Sequence, residues 1–152
     1  LKHLVALDMI DDIVIANCYP SAAEKEALKH VSLDVVNFKV ELEPNIPETE
    51  KKIVLEELHL NRGDLNPCMI RSSQSRVKYR GHHFDVFHAP DMIHRGDVLI
   101  DSSEYGTYAG ELQVALQDMK NSGRTNVVGH IREEELFILD SLKPWQKFRF
   151  TL

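Results

Sequence analysis

Three arginines, Arg62, Arg71 and Arg76, stand close together in this chain. Each guanidinium presents a planar fork of N–H donors that fits the oxygens of a phosphate or a carboxylate. Asp64 lies between the first two and can orient either of them. Ser72 and Ser75 carry hydroxyls that can donate to phosphate oxygens. The same residue types also make exposed turns and surface ion pairs, so both readings stand at this level.

A second group lies in the run from Arg95 to Val114, which reads as two strands joined by a Tyr/Gly-rich turn. Tyr105, Tyr108 and Glu111 suit a sugar, because pyranose rings stack on aromatic faces and their hydroxyls bind carboxylates. Tyrosine offers an apolar face and a polar tip in one side chain. Alternatively the tyrosines pack over the end of a sheet, with Gly106 and Gly110 supplying turn geometry. Asp101 either serves the ligand or ends a strand. His82, His83, His88 and His94 gather near Asp91, but their irregular spacing matches no zinc pattern, and no metal is expected.

The chain of 152 residues is 43% hydrophobic, enough for a packed core, and carries a net charge of −6. That balance argues against general nucleic-acid binding, which needs a basic surface. No apolar run approaches the ~20 residues of a membrane-spanning helix. Asp8, Asp11 and Asp12 interrupt the apolar N-terminus, unlike a signal peptide. Cys18 and Cys68 lack CxxC spacing, and two free thiols in a reducing cytosol are expected. The chain opens on Leu1 rather than Met, which fits a piece of a longer protein.

These groups must be positioned by two kinds of element. Residues 1–8 read as the end of a helix, Ile13 to Ala16 as a strand apolar at every position, and Ser21 to about Val31 as a helix. Ser21 and Glu24 form a capping-box pattern at its start. An all-apolar strand between helices belongs to α/β architecture. Beyond residue 34 short strands dominate. Strands are expected at Val35–Leu42, Cys68–Ser72, Val77–Tyr79, Val98–Ser102, Gly110–Asp118, Asn126–Ile131 and Phe148–Leu152. Glu48–Lys52 reads as one helical turn, Ile53–Leu60 leans to strand, and Arg132–Leu139 reads as a short helix. Leu112, Val114 and Leu116 alternate with Gln113, Ala115 and Gln117, the pattern of a half-buried antiparallel strand. Many short strands with few helices predict a mainly β barrel or sandwich.

Three stretches resemble one bacterial family: Ile10–Ser21, His59–Arg76 and Arg95–Gly129, the last with its Gly-Asp-Val, Tyr-Ala-Gly-Glu-Leu-Gln and Asn-Val-Val-Gly runs. The family was once labelled outer surface proteins of unknown function. Its better-understood members are 6-phospho-N-acetylmuramidases, cytoplasmic glycosidases that hydrolyse N-acetylmuramate-6-phosphate–N-acetylglucosamine in peptidoglycan recycling. The family joins an N-terminal TIM barrel to a C-terminal cyclophilin-like β-barrel. The resemblance therefore implies that residues 1–33 are the last strand and helix of a TIM (β/α)8 barrel. Residues 34–152 would be a cyclophilin-like β-barrel domain. The implied partners are a phosphorylated amino-sugar substrate and the N-terminal barrel of the same protein, with no cofactor, nucleic acid or membrane.

On this resemblance Arg62, Arg71 and Arg76 suit the anionic groups of a 6-phospho sugar with a lactyl carboxylate. Asn17, at the C-terminal end of the presumed barrel strand, is placed to meet substrate, because TIM-barrel active sites lie on that face. Glycoside hydrolysis usually needs two carboxylates ~5 to 9.5 Å apart. Glu41, Glu43, Asp64, Asp101, Glu104 and Glu111 are available, but none has a spacing that assigns a role. The catalytic pair is expected outside this chain, which alone should be inactive. A non-catalytic binding module for an anionic or phosphorylated carbohydrate is the alternative. Prolyl isomerase activity rests on fold analogy alone, and the Phe-His-Arg and Gln-x-Phe-Phe runs of cyclophilins are absent.

Overall fold

The computed structural model describes every residue except Ile13, Ile15, Asn17, Cys18, His30, Val31 and Leu65. In chain order the elements are α1 (Lys2–Leu7), α2 (Ala22–Lys29), β1 (Val35–Leu42), α3 (Glu48–Glu56), β2 (His59–Leu60) and β3 (Met69–Ser72). There follow α4 (Gln74–Lys78), β4 (Met92–Ile93), β5 (Asp97–Asp101), β6 (Leu112–Ala115), β7 (Met119–Lys120), β8 (Thr125–Ile131) and β9 (Lys147–Thr151). Two 3-10 segments, Ser103–Tyr108 and Glu133–Ser141, connect the later strands.

Seven strands form one sheet in the order β2-β9-β1-β8-β5-β6-β3. Among the described residues, only the β1–β9 pair is parallel. The two ends of the sheet curl towards each other. Just beyond β2, the Arg62 amide donates to the Arg71 carbonyl at 3.0 Å. The Leu60 amide donates to Ser72 Oγ at 3.4 Å. The result is a nearly closed, mainly β barrel, as the cyclophilin-like expectation requires. Closing the sheet covers edge groups that would otherwise be left unpaired.

Period-two patterning explains the core. Val36, Phe38 and Val40 point inward from β1, and Phe148 and Phe150 from β9. The parallel register sets Val36 beside Phe148 and Phe38 beside Phe150. Each large apolar side chain so buried contributes about 1.5–3 kcal/mol. His59 stacks on Phe148 at 5.2 Å between ring centres, and its Nε2 lies 3.0 Å from the Ile53 carbonyl oxygen.

Several local expectations change. Ile53–Leu60 is mostly helix, because Glu50, Ile53 and Val54 share one buried face of α3 at helical spacing. Glu48 and Glu50 favour the positive end of that helix. Val77–Tyr79 is not a strand. Ser75 Oγ donates to the Gly110 carbonyl at 2.6 Å and the Tyr79 amide donates to the Ser75 carbonyl at 2.8 Å, which closes the helical turn α4 instead. β6 is buried on both faces rather than one. Leu112 and Val114 enter the main core, while Ala115 packs with Ile93, Leu99 and Val127 in a second cluster. Ile93 and the adjoining Met119 come from the β4–β7 ribbon, which covers what an isolated sheet would leave wet.

The N-terminal segment is attached through α1. Val5 and Ala6 are buried in the main core, and Lys2 Nζ meets Glu135 Oε1 at 2.5 Å. α2 begins with the expected capping box: the Ser21 amide donates to Glu24 Oε2 at 2.7 Å, and the Glu24 amide to Ser21 Oγ at 3.2 Å. The strand expected over Ile13–Ala16 falls partly outside the described residues. Its described members, Val14 and Ala16, carry no strand and are exposed. No helix among the described residues is long and apolar enough to cross a membrane.

Candidate functional site

The site forms where β3 leaves the sheet next to the start of β6. Met69–Ser72 pairs antiparallel with β6, and Arg71 lies opposite Gln113. Alternation sends Ile70 and Ser72 inward and Arg71 and Ser73 to the other side. Gly110 precedes Glu111 with a φ of 77°, a left-handed conformation that costs a glycine little. A Cβ there would sit 2.5 Å from the buried Phe84 ring, so only glycine lets the chain turn at this point.

Glu111 is fully buried, at 0% exposure. Arg71 Nε and Nη2 both reach its Oε1, at 2.7 and 2.6 Å. Its Oε2 accepts from Ser73 Oγ at 3.0 Å and faces Arg76 Nη1 at 3.3 Å. Arg62 Nη1 donates to Ser73 Oγ at 3.1 Å and stands 3.8 Å from Glu111 Oε1. Asp64 Oδ2 binds Arg62 Nη2 at 2.9 Å and Arg71 Nη1 at 3.4 Å. Arg71 and Arg76 both lie against the Tyr108 ring, 5.3 and 5.2 Å from its centre. Burial is the largest single influence on Arg71 and works against its charged form, but the Glu111 hydrogen bond and charge, with Asp64 and Tyr108, together outweigh it and the guanidinium pKa is raised.

Three guanidiniums thus share two carboxylates in a fixed geometry, with Asp101 beyond ion-pair distance but within the field of Arg71. A cluster preorganised in this way binds an anion without first ordering long side chains. Two clefts flank it. One of about 630 Å³ is lined by Arg62, Arg76, Arg80, His82 and Tyr108. The other, of about 290 Å³, is lined by Arg71, Asp101, Tyr105, Tyr108, Gln113 and Thr125. Tyr108 belongs to both and forms the ridge between them.

Of the residues singled out from the sequence, Arg62, Asp64, Arg71, Arg76, Tyr108 and Glu111 come together. Tyr105 lies at the rim of the smaller cleft, with its hydroxyl 3.1 Å from Ser122 Oγ and Arg124 over its ring. Ser72 points away from the arginines. It is buried, 3.3 Å from His59 Nδ1, and donates to Gln74 Oε1 at 3.1 Å. Ser75 is likewise occupied by Gly110. The serine that reaches the cluster is Ser73, and strand parity, counting two residues from Arg71, is the signal that identifies it. Asn17 lies outside the described residues. The histidines take separate partners: His83 meets Asp85, His94 meets Asp118, and His88 lies 3.0 Å from the Val127 carbonyl oxygen.

Asp101 has the most perturbed carboxyl here. Burial pushes it up to about 6, and the Glu111 charge adds to the rise; the Thr125 hydroxyl, Arg71 and Gln113 oppose it. Thr125 Oγ1 donates to Oδ1 and Gln113 Nε2 to Oδ2, each at 2.8 Å. Between its ordinary 3.8 and about 6 the folded chain binds more protons at Asp101 than the unfolded chain, so this contribution to stability falls as pH rises. His59 has the opposite sign, because burial lowers it from 6.5 to about 4 and stability rises with pH across that window. The two slopes oppose each other in wild type. Asp101→Asn is therefore expected to gain about 3 kcal/mol relative to wild type between pH 4 and pH 6.5. Urea unfolding of both proteins across that range measures it. A mismatched amide shifts the whole curve by a constant, so parallel curves would mean that Asp101 keeps an ordinary pKa.

The likeness to known proteins agrees with this architecture. The chain matches a crystal structure of an uncharacterized B. cereus protein with a TM-score of 0.91 and 40% identity, over 99% of this chain and 43% of that one. A conserved Enterococcus faecalis protein with an unknown function matches with a TM-score of 0.61 and 26% identity, over 76% of this chain and 30% of that one. This chain thus spans less than half the length of either relative. No curated protein matches it. Residues 36–151, from β1 to β9 with the arginine cluster between them, match the family described as 6-phospho-N-acetylmuramidase, C-terminal. With the barrel and the motifs that first suggested it, that match makes this chain a member of the 6-phospho-N-acetylmuramidase C-terminal family.

Proposed function

We propose that this chain is the C-terminal part of a cytoplasmic glycosidase acting on N-acetylmuramate-6-phosphate–N-acetylglucosamine in cell-wall recycling. Its barrel supplies an anion-binding wall of the substrate site. In this reading residues 1–33 are the end of an N-terminal TIM barrel and residues 34–152 the cyclophilin-like domain. The observation that carries the proposal is the convergence of Arg62, Arg71 and Arg76 on the buried Glu111 beside Tyr108. The arginines hold phosphate or lactyl carboxylate oxygens, and Tyr108 and Tyr105 meet the sugar. Asn17 contributes from the barrel side.

The two oxygens of Glu111 and of Asp101 already accept hydrogen bonds within the domain. Both carboxylates are engaged in holding the domain together, Glu111 within the arginine cluster and Asp101 between Gln113 and Thr125. This supports a catalytic pair in the N-terminal barrel and a purely binding role here.

Calorimetric titration of the chain with N-acetylmuramate 6-phosphate and with unphosphorylated N-acetylmuramate tests the proposal. The phosphorylated sugar is expected to bind measurably and to lose affinity with added salt. Equal affinity for the two sugars would remove the phosphate from the role assigned to the arginines. Release of N-acetylglucosamine from the disaccharide by this chain alone would place the catalytic carboxylates here.

A further inference from the structure

We propose that Trp145 is a stacking platform for the pyranose ring of an anionic amino sugar, held beside Arg62 in a third cleft. The inference rests on the phospho-sugar reading above and adds a residue and a subsite to it.

Trp145 is the single tryptophan of the chain, and 66% of it is exposed. Its φ is 68°, a left-handed conformation that a bulky residue adopts only when its surroundings impose it. The surroundings do so here. The Trp145 amide donates to the Asn61 carbonyl at 2.7 Å, and the Asn61 amide donates to the Gln146 carbonyl at 3.0 Å. The buried Asn61 side chain donates to the carbonyls of Leu142 and Lys143, at 3.3 and 3.0 Å. Gln146 Oε1 accepts from the Lys143 amide at 3.0 Å, which closes the loop on itself. The indole then lies on the backbone of Gly63, where a Cβ would come within 2.2 Å of the ring. Gly63 is the residue after Arg62, so the clamp ties the indole to the arginine cluster.

A strained loop that presents an aromatic ring to solvent gains little burial in return, which is the pattern of a binding residue rather than a core one. The cleft that Trp145 lines holds about 550 Å³ and is otherwise bounded by Leu60, Ser73, Val77 and the cations Arg62, Arg76 and Lys78. Its volume lies within the roughly 300–1,000 Å³ of small-molecule sites. Lys78 is already held by Glu57, so the lining is a mostly apolar surface beside the two arginines. That pairing fits a pyranose, whose C–H face stacks on an indole, bearing a phosphate or carboxylate that reaches a guanidinium.

Because no other tryptophan is present, emission from this chain reports on Trp145 alone. Titration with N-acetylmuramate 6-phosphate is expected to change the emission with the same midpoint that calorimetry gives. Trp145→Ala should weaken binding on the order of tenfold, and Trp145→Phe should recover most of the loss. The unfolding midpoint should stay near that of wild type, since the ring is mostly exposed. Calorimetric binding that leaves the emission unchanged and survives Trp145→Ala would overturn the platform and leave the arginine assignment standing. Absence of binding in wild type would overturn both. In the full-length protein Trp145→Ala should raise KM for the phosphorylated disaccharide. An unchanged KM with a lowered unfolding midpoint would mean that the ring packs against the N-terminal domain instead, which also overturns the proposal.

Discussion

Glu111→Ala is expected to destabilise the barrel by about 3–5 kcal/mol, the cost of breaking a buried charge pair by removing one partner. The carboxylate is fully buried and touches Arg71, Arg76 and Ser73, with Arg62 close by. Its loss leaves Arg71 largely shielded from water and facing Arg62 and Arg76, with Asp64 and the more distant Asp101 to offset three positive charges. Like-charge repulsion then adds to the unmet hydrogen bonds. Glu111→Gln keeps the shape and one acceptor, so it should cost less than Ala while still losing the charge-assisted part. Denaturant unfolding measures both variants, and a double-mutant cycle with Arg71 isolates the pairwise energy. A loss below about 1 kcal/mol for Glu111→Ala would place the pair in the weak class of surface ion pairs and remove the basis for a preorganised cluster.

The second large effect concerns binding. In the full-length protein, Arg71→Ala is expected to weaken binding of the phosphorylated disaccharide by about 2–5 kcal/mol, the usual cost of truncating one member of a desolvated charge pair. Much of that would be the cost of leaving the phosphate oxygens without donors. Arg71→Lys should recover only part, because an ammonium lacks the fork that donates twice to Glu111 while its Nη1 faces Asp64. Arg71→Ala also exposes the fold to an underpaired Glu111. Arg62→Ala is the cleaner companion, since its contact with Glu111 is the long one at 3.8 Å. Kinetics on phosphorylated and unphosphorylated disaccharides separate the roles. An arginine that grips the phosphate should matter far less without it. If Arg71→Ala and Arg62→Ala both keep wild-type efficiency on the phosphorylated substrate, the cluster is a structural ion-pair patch.

Which parts were legible in the sequence follows from the range of the interactions involved. The alternation of Val36, Phe38 and Val40, the Phe148–Phe150 pair and the Ser21–Glu24 cap are local patterns, and they predict β1, β9 and the start of α2. The Arg95–Val114 run is also local, and β5 and β6 pair across its turn as read. Family membership was legible for the same reason, because its motifs are short and contiguous. Elements with mixed local signals were not settled. Ile53 and Val54 are good strand formers, yet they lie in a helix because Glu50, Ile53 and Val54 bury one face against the barrel. The both-sided burial of β6 depended on a ribbon whose strands flank it in the chain but whose docking no periodicity encodes.

The site divides in the same way. Residue types alone determined that Arg62, Arg71, Arg76, Tyr108 and Glu111 had the chemistry to hold an anionic sugar. That chemistry belongs to each side chain wherever it stands. Only the tertiary structure decided that Arg71 meets Glu111, forty residues away, and that Glu111 is buried while Asp64 is not. It also decided that Ser73 rather than Ser72 joins them. Ser72 and Arg71 are neighbours on β3 and face opposite sides, while the turn from β3 into α4 brings Ser73 back to the arginines. Trp145 is the extreme case. Nothing in Lys143-Pro144-Trp145-Gln146 distinguishes a surface loop from a binding platform. The distinction arises from Asn61 and Gly63, about eighty positions earlier in the chain, which barrel closure brings under the ring.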